Sequence, residues 1–313
     1  MTVSVADVYA AADRIRGLIK RTPVVRADAG GRTLFLKCEN LQHSGSFKLR
    51  GGTNWLQSLE PGALARGVMC YSSGNHAAGV AAAAARAGAT ARVVMPHDAP
   101  RVKVENTQSF GAEIISYDRF TEDREAICRA LAAETGATVI PPFDHPLTIA
   151  GQGTAALELL DEVPDLDAVI APIGGGGLLA GTCLVTRDRN ASIRLFGAEP
   201  ELGNDTWLSL QAGERKQIPP SETIADGLRS PMPGALTFPV LQSHLEAIAL
   251  VSEDEIRAAV RWLALKVHLV IEPSGAVSVA AALAKLPEDV KRVGVIVSGG
   301  NLEAEQLAGI VAG

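Results

Sequence analysis

Aromatic side chains are scarce in this chain: 3 Trp, 3 Tyr and 7 Phe make up 4% of 313 residues. So few ring faces argue against a surface that stacks unpaired bases. A basic excess is missing as well. With 29 Lys and Arg against 35 Asp and Glu, the formal net charge is −6, whereas binding by phosphate neutralisation needs the opposite sign, so no nucleic-acid partner is expected. The longest apolar runs, around Val80–Ala85 and Ala276–Ala284, fall below half of the ~20 residues that a membrane-spanning helix requires. Met1 to Arg16 mixes Asp7 and Asp13 into a mildly amphipathic pattern, and neither a basic start nor an unbroken apolar stretch marks an export signal. Cysteine is sparse too. Cys38, Cys70, Cys128 and Cys183 lack CxxC spacing and sit in apolar segments, which predicts reduced core thiols in a cytoplasmic protein.

What is abundant is apolar residues, at 47%, together with 31 glycines; the chain is long enough to bury two cores. Strand and helix patterns alternate. The spacing predicts strands over 67–72, 91–95, 112–117 and 138–140, with helices over 75–87, 102–110 and 121–135 between them. Pro141, Pro142 and Pro146 interrupt this run, and a change of domain is placed near residue 144. A second alternating run follows, with strands over 168–173, 193–199 and 293–298 and helices over 149–160, 177–186, 253–267 and 274–286. Successive βαβ units imply parallel sheets, so the fold class is α/β, with two open, mostly parallel twisted sheets flanked by helices. Residues 213–239, rich in Pro, Gly, Ser and Thr, read as a long ordered loop near a site.

Five stretches that follow predicted strands carry chemistry. In Ser44-Gly45-Ser46-Phe47-Lys48-Leu49-Arg50, a lysine stands at a helix start beside apolar residues. There the helix dipole and burial both disfavour its ammonium form and free the amine as a nucleophile toward carbonyls; a solvated first-turn lysine is the plain alternative. Gly174-Gly175-Gly176-Gly177-Leu178 follows a predicted strand and opens a helix, a pattern that brings backbone N–H groups onto one phosphate. It has neither the Lys-Ser/Thr pair of a nucleoside triphosphate loop nor dinucleotide spacing. Ser72-Ser73-Gly74-Asn75-His76 offers hydroxyls and free N–H groups to a small anion such as a carboxylate, or simply caps the next helix. Ser298-Gly299-Gly300-Asn301 ends the last strand at the edge where α/β proteins gather ligands. Glu199, the Gly203 carbonyl and Asp205 form an oxygen set for a hard cation, or a solvated acidic turn.

Together with Ile149 to Thr154, Ala225-Asp226-Gly227 and Ile271 to Gly275, these stretches resemble the fold type II pyridoxal-phosphate enzymes. The resemblance is to the threonine/serine dehydratase and serine racemase group, which includes 3-hydroxyaspartate dehydratases, and the stretches occur in family order across almost the whole chain. It implies a large cofactor-binding domain from 1–53 and 144–313, a small substrate domain from 54–143, and a homodimer. Lys48 would bond pyridoxal 5'-phosphate through its amine, Phe47 would pack beside the ring, and Asn75 would reach its 3-oxygen. Gly174, Gly175, Gly176, Gly177 and Leu178 would hold the phosphate, and Ser298 would meet the ring nitrogen. A neutral hydroxyl there does not enforce ring protonation, which favours elimination of a β-substituent. Ser72, Ser73, Gly74, Asn75 and His76 would bind the amino-acid substrate.

The implied main activity is a dehydratase that turns L-serine or L-threonine into a 2-oxo acid and ammonia, with serine racemase activity beside it. The alternatives are an amino-acid racemase, for serine or aspartate, or a 3-hydroxyaspartate dehydratase as the main activity. A non-catalytic amino-acid-binding protein and a β-replacement enzyme stand further off. Ser73 occupies a position where racemases use serine as the acid or base on the substrate face opposite the lysine. Glu199, Gly203 and Asp205 match the divalent-cation site of the racemase branch, with Mg²⁺ or Ca²⁺ favoured by all-oxygen ligation. Ala78 stands where relatives carry glutamine and Phe143 where some racemases have a polar residue. No regulatory extension is expected, since the chain stops just after the last helix.

Overall fold

The computed structural model describes residues 2–99 and 101–313. Helix α1 (Val5–Ile15) precedes a hairpin of β1 (Val24–Ala29) and β2 (Arg32–Cys38), then α2 (Lys48–Leu56) and α3 (Pro61–Arg66). The next stretch alternates strictly: β3 (Val68–Tyr71), α4 (Asn75–Ala87), β4 (Ala91–Pro96), α5 (Arg101–Ser109), β5 (Glu113–Tyr117), α6 (Arg124–Thr135) and β6 (Thr138–Val139). These strands form a four-stranded sheet, ordered β5-β4-β3-β6, in which every pairing is parallel.

The chain then returns to the sheet begun by β1 and β2. It adds α7 (Pro146–Glu162), β7 (Ala168–Pro172), α8 (Gly177–Arg189), β8 (Arg194–Pro200), α9 (Asp205–Ala212), α10 (Thr237–His244) and β9 (Ala247–Val251). Helices α11 (Glu253–Trp262) and α12 (Pro273–Ala284), strand β10 (Arg292–Val297) and helix α13 (Ala304–Ala312) complete it. The six strands run β1-β2-β10-β7-β8-β9, parallel except for the β1–β2 pair.

Strands β7 and β10 are apolar along almost their whole length and almost fully buried, as expected where helices cover both faces of a parallel sheet. One core lies under α11 and α12, a second under α7 and α8. The smaller sheet packs against α4, whose run from Ala77 to Ala84 is buried without a large side chain other than Val80. Such a slim helix lets its neighbours approach closely. The sheets are mostly parallel, as expected; the exception is the hairpin in which Gly30 and Gly31, with φ of 60° and 72°, turn β1 back onto β2. The helix expected from residue 149 begins three residues earlier, with Pro146 in its first turn, where its missing N–H costs nothing.

All four cysteines are free and buried. Among the described residues no helix is long and apolar enough to cross a membrane.

Candidate active site

The carboxyl ends of β3, β7, β8 and β10 carry the Ser72, Gly174, Glu199 and Ser298 stretches in turn. A bridge between Ser46 and Gly299 ties the loop before α2 to the end of β10. Phe47 N–H donates to the Ser298 carbonyl at 3.0 Å, Gly300 N–H donates to the Gly45 carbonyl at 2.9 Å, and Asn301 Nδ2 donates to the Ser44 carbonyl at 2.9 Å. Lys48 is thereby held beside Ser298.

Helix α2 is anchored from below by buried charges. Arg50 donates to Glu39 through Nε at 2.8 Å and to Glu158 through both terminal nitrogens at 2.8 Å, and Lys37 Nζ donates to Glu158 at 2.6 Å. Arg50, Glu39 and Lys37 side chains are wholly buried. Removing one partner from such a set strands the others and costs about 3–5 kcal/mol.

Lys48 Nζ donates to the Pro142 carbonyl at 2.7 Å. It lies 5.1 Å from the Phe47 ring centroid. Burial pushes its pKa down to about 8, so near neutral pH a usable share of the amine is unprotonated. The residue keeps some exposed surface.

The glycine loop fits a phosphate. Among the described residues no protein acceptor takes the N–H groups of Gly174 to Leu178. Gly176, at φ 90°, turns the chain into α8, so these donors precede a helix N-terminus. Side chains are excluded from the loop: a Cβ on Gly175 would meet the Phe143 ring at 2.2–2.3 Å, and one on Gly176 would meet Thr237 Oγ1 at 2.8 Å. Thr237 Oγ1 donates to the Gly175 carbonyl at 2.7 Å and fixes the loop from behind.

At the β3–α4 junction, Ser72 Oγ accepts from Gly74 N–H at 3.2 Å, and Ser73 is partly exposed. Asn75 is held on both sides: Nδ2 donates to Glu272 Oε1 at 2.5 Å, and Oδ1 accepts from Asn301 Nδ2 at 2.8 Å. One amide hydrogen remains for a ring oxygen. The His76 ring is committed elsewhere. It is buried, its Nε2 pairs with the Ile140 carbonyl at 2.9 Å, and burial, then the Lys48 charge, lower its pKa to about 3. It stays neutral and does not face the substrate loop as an acid or base.

Ser298 is 4% exposed, and its Oγ has only a 3.5 Å contact to the Ser274 carbonyl, which leaves the hydroxyl free for a ring nitrogen. Glu199 and Asp205 are both buried. Glu199 accepts from the N–H groups of Thr206 and Trp207 at 3.1 and 2.8 Å, while both Asp205 carboxylate oxygens lack any partner. Burial, then the nearby Asp205 charge, raises the Glu199 pKa well above its usual range, and burial lifts Asp205 to about 7. A buried carboxylate with both oxygens orphaned, beside a second buried carboxylate, is what a hard cation would satisfy, although among the described residues no three His, Cys, Asp or Glu side chains converge.

Several residues that shape this site give no short-range signal in the sequence. Pro142 comes from outside the predicted motifs, Phe143 is singled out in the sequence without a contact to the glycine loop, Thr237 lies at the end of the stretch expected near a site, and Glu272, inside a motif, has no assigned role. Burial raises Glu272 to about 7, with the Lys103 charge opposing.

A desolvated lysine amine near a preformed single-phosphate cradle, at the carboxyl edge of a parallel sheet, defines a class: enzymes that carry a phosphorylated carbonyl cofactor on a lysine. The chain belongs to the pyridoxal-phosphate dependent enzyme family, whose sequence model matches residues 15–299. It is a fold type II enzyme of the serine racemase, threonine dehydratase and 3-hydroxyaspartate ammonia-lyase group. It is 43% identical to the L-threo-3-hydroxyaspartate ammonia-lyase of Saccharomyces cerevisiae, covering 98% of this chain and 96% of that one. Against the serine racemase of Schizosaccharomyces pombe the identity is 40%, covering 96% and 95%. The structure of maize serine racemase superimposes with a TM-score of 0.95 at 39% identity, covering 98% and 96%.

Proposed function

We propose that this enzyme is a 3-hydroxyaspartate ammonia-lyase that also racemises serine. The coarse chemistry rests on the Lys48 amine held beside the phosphate cradle. The choice of substrate shifts from L-serine and L-threonine to 3-hydroxyaspartate because curated hydroxyaspartate lyases align along almost the whole chain at 41–44% identity and curated serine racemases at 38–40%; a threonine deaminase of known structure aligns as fully, at 41%, and keeps threonine among the substrates to be tested. One further observation favours a dicarboxylic substrate. The Arg124 guanidinium lies 5.6 Å from the ring centroid of Tyr71, the residue that leads into Ser72-Ser73, and offers a cation for a second carboxylate.

Bound pyridoxal phosphate, joined to the substrate amine, supplies a sink for the electron pair released at Cα. The N–H groups of Gly174 to Leu178 would hold its phosphate, Ser298 Oγ would serve the ring nitrogen, Asn75 the ring oxygen, and Phe47 would flank the ring. The Lys48 amine, unprotonated in part near neutral pH, would act as the base that removes the Cα proton. The Ser72–Asn75 loop binds the α-carboxylate with hydroxyls and helix-start N–H groups. Loss of the β-hydroxyl with one proton, as water, and hydrolysis of the product convert 3-hydroxyaspartate into oxaloacetate and ammonia. In this reading Ser73 serves the face opposite Lys48: it would return a proton to Cα from that side and invert the centre when the hydroxyl is retained. Glu199, the Gly203 carbonyl and Asp205 would hold Mg²⁺ or Ca²⁺, which would neutralise the two buried carboxylates.

Incubation of the purified holoenzyme with L-threo-3-hydroxyaspartate, L-serine and L-threonine, with keto acid and D-enantiomer both measured, tests the reading. Hydroxyaspartate should give the highest kcat/KM for elimination and serine a measurable D-product. Faster elimination from L-threonine would restore the dehydratase reading.

A further inference from the structure

Lys103 has no part in the site as described, yet it joins two of its components. It stands on α5, among the helices of the smaller sheet, with its side chain 12% exposed and bonded to the Asp226 carboxylate, which belongs to a loop of the larger sheet. Of the ion pairs among the described residues, this is the one that crosses between residues 54–143 and the rest of the chain.

Each end of the pair touches the site. On one side, a Cβ placed on Gly74 would have Lys103 Nζ as its nearest neighbour, at 3.8 Å, so the ammonium lies against the Ser72–Asn75 loop. On the other, Asp226 opens a single helical turn, Asp226–Leu228, whose Gly227 N–H donates to Ser274 Oγ at 2.9 Å. The Gly227 carbonyl lies 3.2 Å from where a Cβ of Gly174 would stand. The path runs from the Ser73 loop through Lys103, Asp226 and Gly227 to the first glycine of the phosphate cradle.

We propose that Lys103 is a positioning residue: its bond to Asp226 bolts the loop that carries Ser73 to the wall of the phosphate cradle and so sets Ser73 opposite Lys48. The loop needs such a bolt. Ser72 N–H donates to Val94 at 3.1 Å and Gly74 N–H to Ser72 Oγ at 3.2 Å, and a segment with so few bonds moves easily. Asn75, held by Glu272 and Asn301, secures the end of the loop where α4 begins, and the Lys103–Asp226 pair holds the middle, at Gly74. A largely buried ammonium bonded to one carboxylate, with Glu272 and Glu303 also close enough to favour its charge, has a strong preference for the joined arrangement. The inference rests on the proposed roles of Lys48 and Ser73.

The test uses holoenzyme labelled with a spin-label pair at introduced cysteines, Phe120→Cys on the smaller sheet's side and Glu214→Cys on the larger one's. Both positions are exposed, whereas the native thiols are buried. Lys103→Met and Asp226→Asn should each lengthen and broaden the interlabel distance by the same amount, and the double variant should do no more than either alone. Lys103→Arg should return the wild-type distance. Visible absorbance of the bound cofactor should be unchanged, while kcat falls about 100-fold in Lys103→Met, the loss expected for a reacting group displaced by ~1 Å.

Unchanged distances in both single variants, or losses that add in the double variant, overturn the proposal. If wild-type enzyme yields no keto acid or D-amino acid from any substrate, the functional reading fails, while the distances still decide whether Lys103 and Asp226 form the bolt.

Discussion

Gly79 of α4 lies so close to Lys48 of α2 that a Cβ added to it would stand 2.8 Å from the Lys48 carbonyl carbon and 2.9 Å from the Lys48 Cβ. Both neighbours are backbone or the root of a side chain, so neither can swing aside. Gly79→Ala must therefore push α2 and α4 apart at the catalytic lysine. We expect a loss of about 1–3 kcal/mol in urea unfolding, the usual cost of overpacking, together with weaker uptake of pyridoxal phosphate in a titration of the apoprotein. Unaltered stability and uptake would mean that the helices separate freely.

The lowered pKa of Lys48 makes a signed prediction for the apoprotein. Burial brings the group from 10.5 down to about 8, so between those values the unfolded chain binds more protons than the folded one, and stability contributed here rises with pH through that window. Below pH ~8 the full penalty for a buried ammonium applies. Lys48→Met should accordingly raise the apoprotein Tm at pH 7, and the gain should shrink as the pH approaches 10. A gain independent of pH would assign the effect to packing instead.

Asp205 has two buried oxygens without partners beside Glu199. Adding Mg²⁺ or Ca²⁺ should stabilise the wild-type protein, by about 2.7 kcal/mol when the free cation is 100-fold above its dissociation constant. Asp205→Asn should abolish that response. Because it also removes one of two crowded buried carboxylates, the variant should be at least as stable as wild type without metal. Equal metal responses in the two proteins would place the cation elsewhere.

Arg124 and Ser73 separate substrate choice from stereochemistry. Arg124→Gln should lower kcat/KM for 3-hydroxyaspartate by about tenfold, corresponding to ~1.4 kcal/mol for a lost carboxylate contact, and leave L-serine elimination nearly unchanged. Ser73→Ala should remove formation of D-serine while elimination from the L-substrate persists. Assays of keto acid and of enantiomeric excess on the same samples check both.

Much of the framework was legible because it depends on local pattern. Helix α4 begins and ends where the run from Asn75 to Ala87 predicts, and β3, β4, β7, β8 and β10 fall within two residues of their expected bounds. Strand β9 was missed because it follows the long loop and carries only five residues, two of them alanine. The helix expected over 253–267 changes at Leu263 into a π-turn that ends at His268, with φ 63°, a shift that periodicity alone cannot register. At the site, the lysine and the glycine loop carry their chemistry in contiguous residues. Lys103 and Asp226 are 123 positions apart, and nothing in either neighbourhood announces the other. Phe143 against Gly175 and Thr237 behind the cradle are likewise products of tertiary packing.

The central claim is that Lys48 carries the cofactor. Borohydride reduction of the purified holoenzyme, followed by proteolysis and mass spectrometry, measures it directly. The predicted result is a reduced pyridoxyl-phosphate adduct on the peptide containing Lys48, absent from the Lys48→Ala protein. An adduct on another lysine, or none in a protein that still forms keto acid, would contradict the account.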